Sequence, residues 1–441
     1  MIGTSNKSRF LVTNSFQVIS ILIILSLATT GMGSYVFGIF VFTDVSTLFI
    51  YFILCFQTVT RTLRFPSFLI IIYCFILIQT FVLNFNETTL ALSAKYFLGV
   101  LIYSITIFSF ITVYKTRVVE IIRIYYKFVF FIASIAVLQM VLFVCFDKSF
   151  IPQNFLSGSL SALQSNRFRP EILGFLPRVI GLSTEPSHFA ILCLPGVYIA
   201  ILVLTGKGGE FGFNSKIMAL IIIIGLLFSF SLMGYLGLTL CLVFIFANHL
   251  KRNLLKKVLI SIPFIGLILF SFHSPIGNRL TTLTNMLKNI RGYEYSVNDL
   301  SGWALVSNIL VANEGLQKSH YLGTGLNTHK NTYDETIHIL FQPKQIVWEL
   351  NKDNAGSLFI RVVSEFGIPG IAGLVFFLLH FRLDRSTKPS PVKTINTMSL
   401  VILLSYCARN GTYLNVFLML FLAIYYWTYS IERTKFEQIG S

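Results

Sequence analysis

Charge is scarce in this sequence. Asp, Glu, Lys and Arg together make up 12% of the 441 residues, about half the roughly 25% usual for a soluble domain. That shortage excludes a water-exposed globular chain. Acids are the scarcer sign, at 18 against 34 Lys and Arg. The six cysteines (Cys55, Cys74, Cys145, Cys193, Cys241 and Cys407) all fall in apolar runs, which excludes a disulfide framework in the loops. No internal repeat and no low-complexity segment is visible. What fills the chain is hydrophobic, at 55% of residues with 44 Phe. Runs such as "QVISILIILSLATTGMG" and "SKIMALIIIIGLLFSFSL" suit a bilayer core, which takes about 20 helical residues. In lipid such runs must be helical, because each backbone polar group is satisfied inside its own segment.

The pattern predicts an all-α polytopic membrane protein of about 12 spans. Their limits are 15–33, 36–57, 66–84, 89–114, 122–146, 186–205, 216–232, 234–249, 257–272, 366–381, 395–409 and 413–431. The first run is read as a retained span, since its apolar stretch is long and no clear cleavage site follows. With both termini cytoplasmic, most Lys and Arg fall in the inner segments, including Lys251, Arg252, Lys256 and Lys257, while the short outer turns hold only Arg409. That bias is the positive-inside pattern. The net charge of +16 therefore reports topology and gives no reason to expect nucleic acid as a partner.

This layout divides the chain into residues 1–146 (spans one to five), a first outer loop 147–185, residues 186–272 (spans six to nine), a large outer loop 273–356, and residues 357–441 with the last three spans. The large loop is charge-balanced. It carries two apolar stripes at helical spacing, in 279–291 and in "DLSGWALVSNILVANEGL" (299–316). It is expected to be partly helical and folded back onto the membrane surface.

Several motif-like stretches lie on the outer side. "RVIGLSTEPSHFA" (178–190) places Arg178, Glu185 and His188 at the mouth of the sixth span. "LGTGL" (322–326) lies inside the large loop, "SLFIRVVSEFGIPGIAG" (357–373) follows it, and "ARNGTY" (408–413) joins the last two spans. In order and placement these stretches, with the span layout, resemble the O-antigen polymerase (Wzy) family, within the group that includes O-antigen ligases. The resemblance covers the whole chain. It implies an inner-membrane glycosyltransferase with its active site on the periplasmic face. The donor would be a glycan on undecaprenyl pyrophosphate and the acceptor the sugar hydroxyl of a second lipid-linked repeat unit. It also implies membrane lipid, a chain-length regulator and a flippase as partners, and no metal or other cofactor. The ligase branch carries a His-Asn pair about nine residues before the signature acid. Here that acid is Glu365, and Gly356 and Ser357 stand in place of the pair. The departure favours the polymerase over the ligase; a lipid-linked-oligosaccharide transporter is a third reading, disfavoured by the absence of paired halves.

Transfer from a lipid pyrophosphate needs a cation for the leaving group, and Arg binds phosphate oxygens through a permanently charged, two-pronged fork. Arg178 and Arg361 are the first candidates; Arg169, Arg279, Arg291 and Arg409 are further substrate contacts. Interface Arg can also simply snorkel to lipid head groups. The acceptor hydroxyl needs a group to take its proton. Glu185 is the first candidate, with His188 one turn below; Glu365, at another outer helix mouth, and His320, His329 and His338, in the large loop and open to a surface role, are further candidates. A Glu before Pro186 also reads as an ordinary helix-start acid. "LGTGL" reads as a phosphate nest or, with only one Gly-x-Gly, as a turn. Asp44 and Lys95, at similar depth in spans two and four, are expected to pair, although Lys95 alone could snorkel.

Overall fold

The computed structural model describes residues 4–28, 45–60, 62–64, 67–83, 87–147, 170–172, 176–183, 185–249, 300–340, 351–383 and 390–440. Thirteen α-helices occur among them: α1 (Thr4–Ala28), α2 (Val45–Val59), α3 (Ser67–Leu83), α4 (Glu87–Val113), α5 (Val118–Phe146), α6 (Pro186–Leu204), α7 (Lys216–Phe228), α8 (Leu232–His249), α9 (Leu300–Lys318), α10 (His329–Leu340), α11 (Leu358–His380), α12 (Pro391–Arg409) and α13 (Val416–Gly440). A short antiparallel hairpin, β1 (Pro170–Ile172) and β2 (Leu176–Pro177), precedes α6. Among the described residues, five helical stretches are long and apolar enough to cross a membrane: Leu90–Val113, Lys115–Phe146, Pro186–Leu204, Leu358–His380 and Pro391–Arg409. Five shorter apolar helices accompany them. The ninth expected span (257–272), the 279–291 stripe and Asp44 lie outside the described residues.

Helix α6 is the hub. Sixteen of its residues are buried, and it packs on α5, α7, α8 and α12. Small residues permit the close approach that drives helix association in lipid. Gly196 lies against Val129 of α5, and Gly237 of α8 against Leu194; a Cβ at either glycine would collide with the facing side chain. Helices α12 and α13 form an antiparallel pair. Asn396 ties them at one end. Its amide donates to the Phe381 and Tyr425 carbonyls and to Thr428 Oγ1 at 3.0–3.1 Å, and its oxygen accepts from Leu383 N–H at 2.9 Å.

Tyr125 of α5 sets the vertical register of the bundle. Its hydroxyl donates to the Leu192 carbonyl at 2.9 Å, and its ring meets Phe421 edge-on with centroids 5.6 Å apart. Leu192 and Phe421 each lie within the first two turns of their helices. The starts of α6 and α13 therefore sit toward the same end of the bundle.

Helices α9 and α10 form a separate layer on the first half of α11. Their shared core contains Val311, Tyr333 and Ile337, and Ala312 packs with Ala355 and Ile360. The stripe of 299–316 is thus realised as α9, whereas α10 ("HKNTYDETIHIL") has too few apolar residues to announce itself. Helix α11 begins at Leu358 and not at 366 as expected, with Ser357 Oγ accepting from the Ile360 N–H. The expected span left Arg361 and Glu365 just outside it, at its outer mouth. Four residues apart on one helical face, they neutralise each other inside the protein.

Candidate functional site at one end of the helix bundle

Helix α11 is broken in its middle, and the break organises the site. Pro369 has no N–H to give the Glu365 carbonyl, and Gly367 leaves helical geometry at φ 59°, ψ −149°. The freed backbone groups are taken up by "LGTGL". Thr324 N–H donates to the Ser364 carbonyl at 3.0 Å and Gly325 N–H to the Glu365 carbonyl at 2.8 Å, while Ile368 N–H donates back to the Tyr321 carbonyl at 3.0 Å. Gly323 (φ +84°) must be glycine, because a Cβ there would lie 2.5 Å from the Glu365 carbonyl oxygen. The same loop reaches α3 and α4: Leu326 N–H donates to Thr80 Oγ1 at 3.3 Å, and Ser93 Oγ donates to the Leu326 carbonyl at 2.7 Å. The backbone donors of this loop are thus committed: Leu322 and Gly323 to Ser319, Thr324 and Gly325 to α11, and Leu326 to α3. It is a clasp and does not form a phosphate cradle.

Arg361 sits under the clasp, 1% exposed. Nε donates to Glu365 Oε1 at 2.8 Å. Nη1 donates to the Tyr96 hydroxyl at 3.1 Å and to the Gly411 carbonyl at 3.0 Å, and Nη2 donates to Asn327 Oδ1 at 3.0 Å. The rings of Tyr96 and Tyr413 flank its guanidinium at 4.9 and 4.7 Å. One side chain therefore joins α4, the clasp, α11 and the "ARNGTY" turn. That turn is pressed against residues 351–356 so closely that a Cβ on Gly411 would overlap the Asn354 carbonyl. Ser357 Oγ adds a bond to the Cys407 carbonyl at 2.8 Å. The sequence reading gave Arg361 to a donor pyrophosphate. The structure instead commits it to protein groups, so it acts as a strut.

His329, a candidate from the large loop, opens α10 and is 1% exposed. Nε2 donates to Asn308 Oδ1 at 2.7 Å, and Nδ1 accepts from Ser364 Oγ at 2.9 Å. The Asn308 amide is oriented by its own bond to the Ala304 carbonyl, which fixes the imidazole tautomer. Burial, and then the neighbouring Arg361, push its pKa down to about 3. It is a neutral structural linker between α9 and α11, and too weak a base to serve near pH 7. Glu365 is likewise fully buried.

The stretch before α6 forms a second neighbourhood at the same end. Gln139 of α5 holds it by the backbone: its oxygen accepts from Ile180 and Gly181 N–H at 3.2 and 2.9 Å, and its amide donates to the Gly181 carbonyl at 2.9 Å. Val179 N–H is bound by the Phe228 carbonyl at 3.1 Å. Gly181 adopts φ +57°, with Phe189 where a Cβ would point. Arg178, Glu185 and His188 thereby stand on a fixed frame, each half-buried. Glu185 precedes α6 in extended conformation, and its carboxylate does not cap the helix backbone. Instead Oε2 accepts from Ser187 Oγ at 3.3 Å.

Of the remaining expected residues, Arg409 is half-buried on the last turn of α12, and His320 is exposed with φ 49°. Arg169, Arg279 and Arg291 lie outside the described residues, as does the side chain of His338. Lys95 is exposed on α4. Among the described residues, no group of His, Cys, Asp or Glu is arranged to hold a metal. Tyr96, Asn327 and Gln139 carry no mark in the sequence, whereas Tyr413 closes the "ARNGTY" stretch. The first three are uncharged and far apart in the chain, so nothing local points to them. The chain matches no family model, no curated protein and no solved structure.

Proposed function

We propose that this chain is an O-antigen polymerase of the inner membrane. It joins oligosaccharide repeat units carried on undecaprenyl pyrophosphate, at the periplasmic face. The observation that carries the reading is a convergence. "LGTGL", "SEFGIPG" and "ARNGTY", picked out by order and placement, meet around one buried guanidinium. The half-exposed Arg178, Glu185 and His188 stand at the same end of the bundle. In the reaction the glycan's anomeric carbon leaves the pyrophosphate oxygen and bonds to the acceptor hydroxyl. The hydroxyl proton passes to a base, and undecaprenyl pyrophosphate departs with the electron pair. Arg178 holds the leaving pyrophosphate, Glu185 takes the proton and His188 supports it. Arg361 holds the frame, and Arg409 and His320 extend the substrate surface, with Arg169, Arg279, Arg291 and His338 assigned to the same surface.

A ligase would place its imidazole at position 356. Here that position is Gly356, with φ +63° and the Arg409 guanidinium 3.7 Å from where a Cβ would be, so a side chain there would be strained. Electrophoresis of lipopolysaccharide from a deletion strain separates the readings. A single repeat unit left on the core is expected. Bare core would mean a ligase, and an unchanged long ladder would sink the glycan reading altogether.

About 12 spans, cytoplasmic termini and a periplasmic 273–356 segment belong to the same proposal, supported by the Lys/Arg bias. In a cysteine-free background, an impermeant maleimide should label Lys330→Cys and spare Gly209→Cys. Lys330 is exposed and gives up only a surface ion pair with Asp353. At Gly209 a Cβ meets nothing closer than 3.8 Å. Labelling at 209 from outside would reverse the orientation and remove Glu185 and Arg178 from the periplasm.

A further inference from the structure

Arg361 is enclosed, but two of its partners are not. Tyr96 and Asn327 are both half-buried, and both use their oxygen to accept from the guanidinium, on Nη1 and Nη2 respectively. Accepting there fixes what each has left over. The Tyr96 O–H and the Asn327 NH2 group are donors, and among the described residues neither meets an acceptor. The two groups hang on the two terminal nitrogens of one guanidinium, so a single small ligand can reach both. Asn327 is held at φ 62°, a conformation that Asn tolerates better than most residues, and Lys95 is exposed one residue before Tyr96. Two donors without an acceptor, on two half-buried residues held by one guanidinium, favour an anionic oxygen, to which both bonds are stronger than to a neutral one.

We infer that Tyr96 and Asn327 form an anion site for a pyrophosphate group, in which Arg361 acts through them without touching the ligand. The choice of pyrophosphate over another anion rests on the polymerase reading; the donor geometry does not. Arg178 then engages the same group from the frame before α6.

The test uses the full chain in phosphatidylcholine nanodiscs, with inorganic pyrophosphate titrated against the thermal unfolding midpoint. Asn327→Asp keeps the oxygen that accepts from Arg361 and replaces the donor with a negative acceptor. It should unfold at the wild-type midpoint or higher without pyrophosphate, yet need at least tenfold more pyrophosphate for the same upward shift. Tyr96→Phe keeps the ring over Arg361 and loses the donor, and should need several-fold more. Wild-type dose response in Asn327→Asp overturns the site while leaving the polymerase reading standing. No response in the wild-type chain overturns the site and the donor assignment together. A shift that phosphatidylglycerol in the disc reproduces, with the same sensitivity to Asn327→Asp, makes the site one for a lipid head group and overturns the pyrophosphate assignment. An intact Asn327-dependent response alongside an unchanged ladder in the deletion strain keeps the site and removes the polymerase.

Discussion

Replacing Arg361 with Met should destabilise the purified protein by about 3–5 kcal/mol, the range for stranding one member of a buried ion pair. The Glu365 carboxylate would keep no cation, and its Oε2 already lacks a hydrogen-bond partner among the described residues. The Gly411 carbonyl, Tyr96 hydroxyl and Asn327 amide would each lose their donor as well. The double variant Arg361→Met/Glu365→Leu removes the stranded charge and should recover part of the loss, which thermal unfolding in detergent would show. Arg361→Lys should fall between wild type and Arg361→Met, since one ammonium cannot span partners on three sides. A double variant no more stable than Arg361→Met would mean that the charge pair contributes little and that the clasp rests on its backbone bonds alone.

That expectation places Arg361 among the residues that hold the site. The sequence invites a different assignment, for a physical reason. Arg near the end of a membrane helix is legible as a phosphate ligand or a snorkelling cation, because charge at that depth is costly without a partner. Glu365, Tyr96 and Asn327 are 4, 265 and 34 residues away. Only the first falls within the reach of helical periodicity. The same limit hides His329, whose partners Asn308 and Ser364 lie on different helices.

Apolar runs were legible where lipid or core demands them. The expected limits 89–114, 186–205 and 234–249 fall within about two residues of α4, α6 and α8. They failed where polar chemistry enters a helix, as at the start of α11, and where a helix lacks an apolar stripe, as in α10. The glycines of "LGTGL" and "SEFGIPG" were visible as punctuation. That Thr324 and Gly325 would bond to the carbonyls freed around Gly367 and Pro369 was not, because pairing between distant backbone groups leaves no periodic trace. The order of the motifs along the chain was readable, but their meeting point was not.

Glu185→Gln should abolish chain extension while leaving the protein folded, and the local geometry explains why the two effects separate. A Glu ahead of a helix usually contributes through the dipole, about 0.3–1 kcal/mol, or by capping the first turn. Here the cap bond is absent, and Oε2 accepts from the Ser187 hydroxyl. Glutamine preserves that acceptor and the side-chain volume, so the midpoint of unfolding should move little. It cannot take a proton from an acceptor hydroxyl, so lipid-linked repeat units should bind and not be extended. A general base contributes about 10²–10⁴-fold in rate, enough to reduce a long ladder to single units. Arg178→Lys probes the other half of the pair. Its backbone frame, set by Gln139 and Phe228, does not depend on the guanidinium. Lysine would keep the charge and lose the fork, shortening the polymer without impairing insertion. Long ladders from a normally expressed Glu185→Gln chain would take Glu185 out of the chemistry. The proton acceptor would then have to be sought among half-buried or exposed groups, His188 or His320, because the enclosed Glu365 and the neutral, doubly bonded His329 have no open face to offer a substrate.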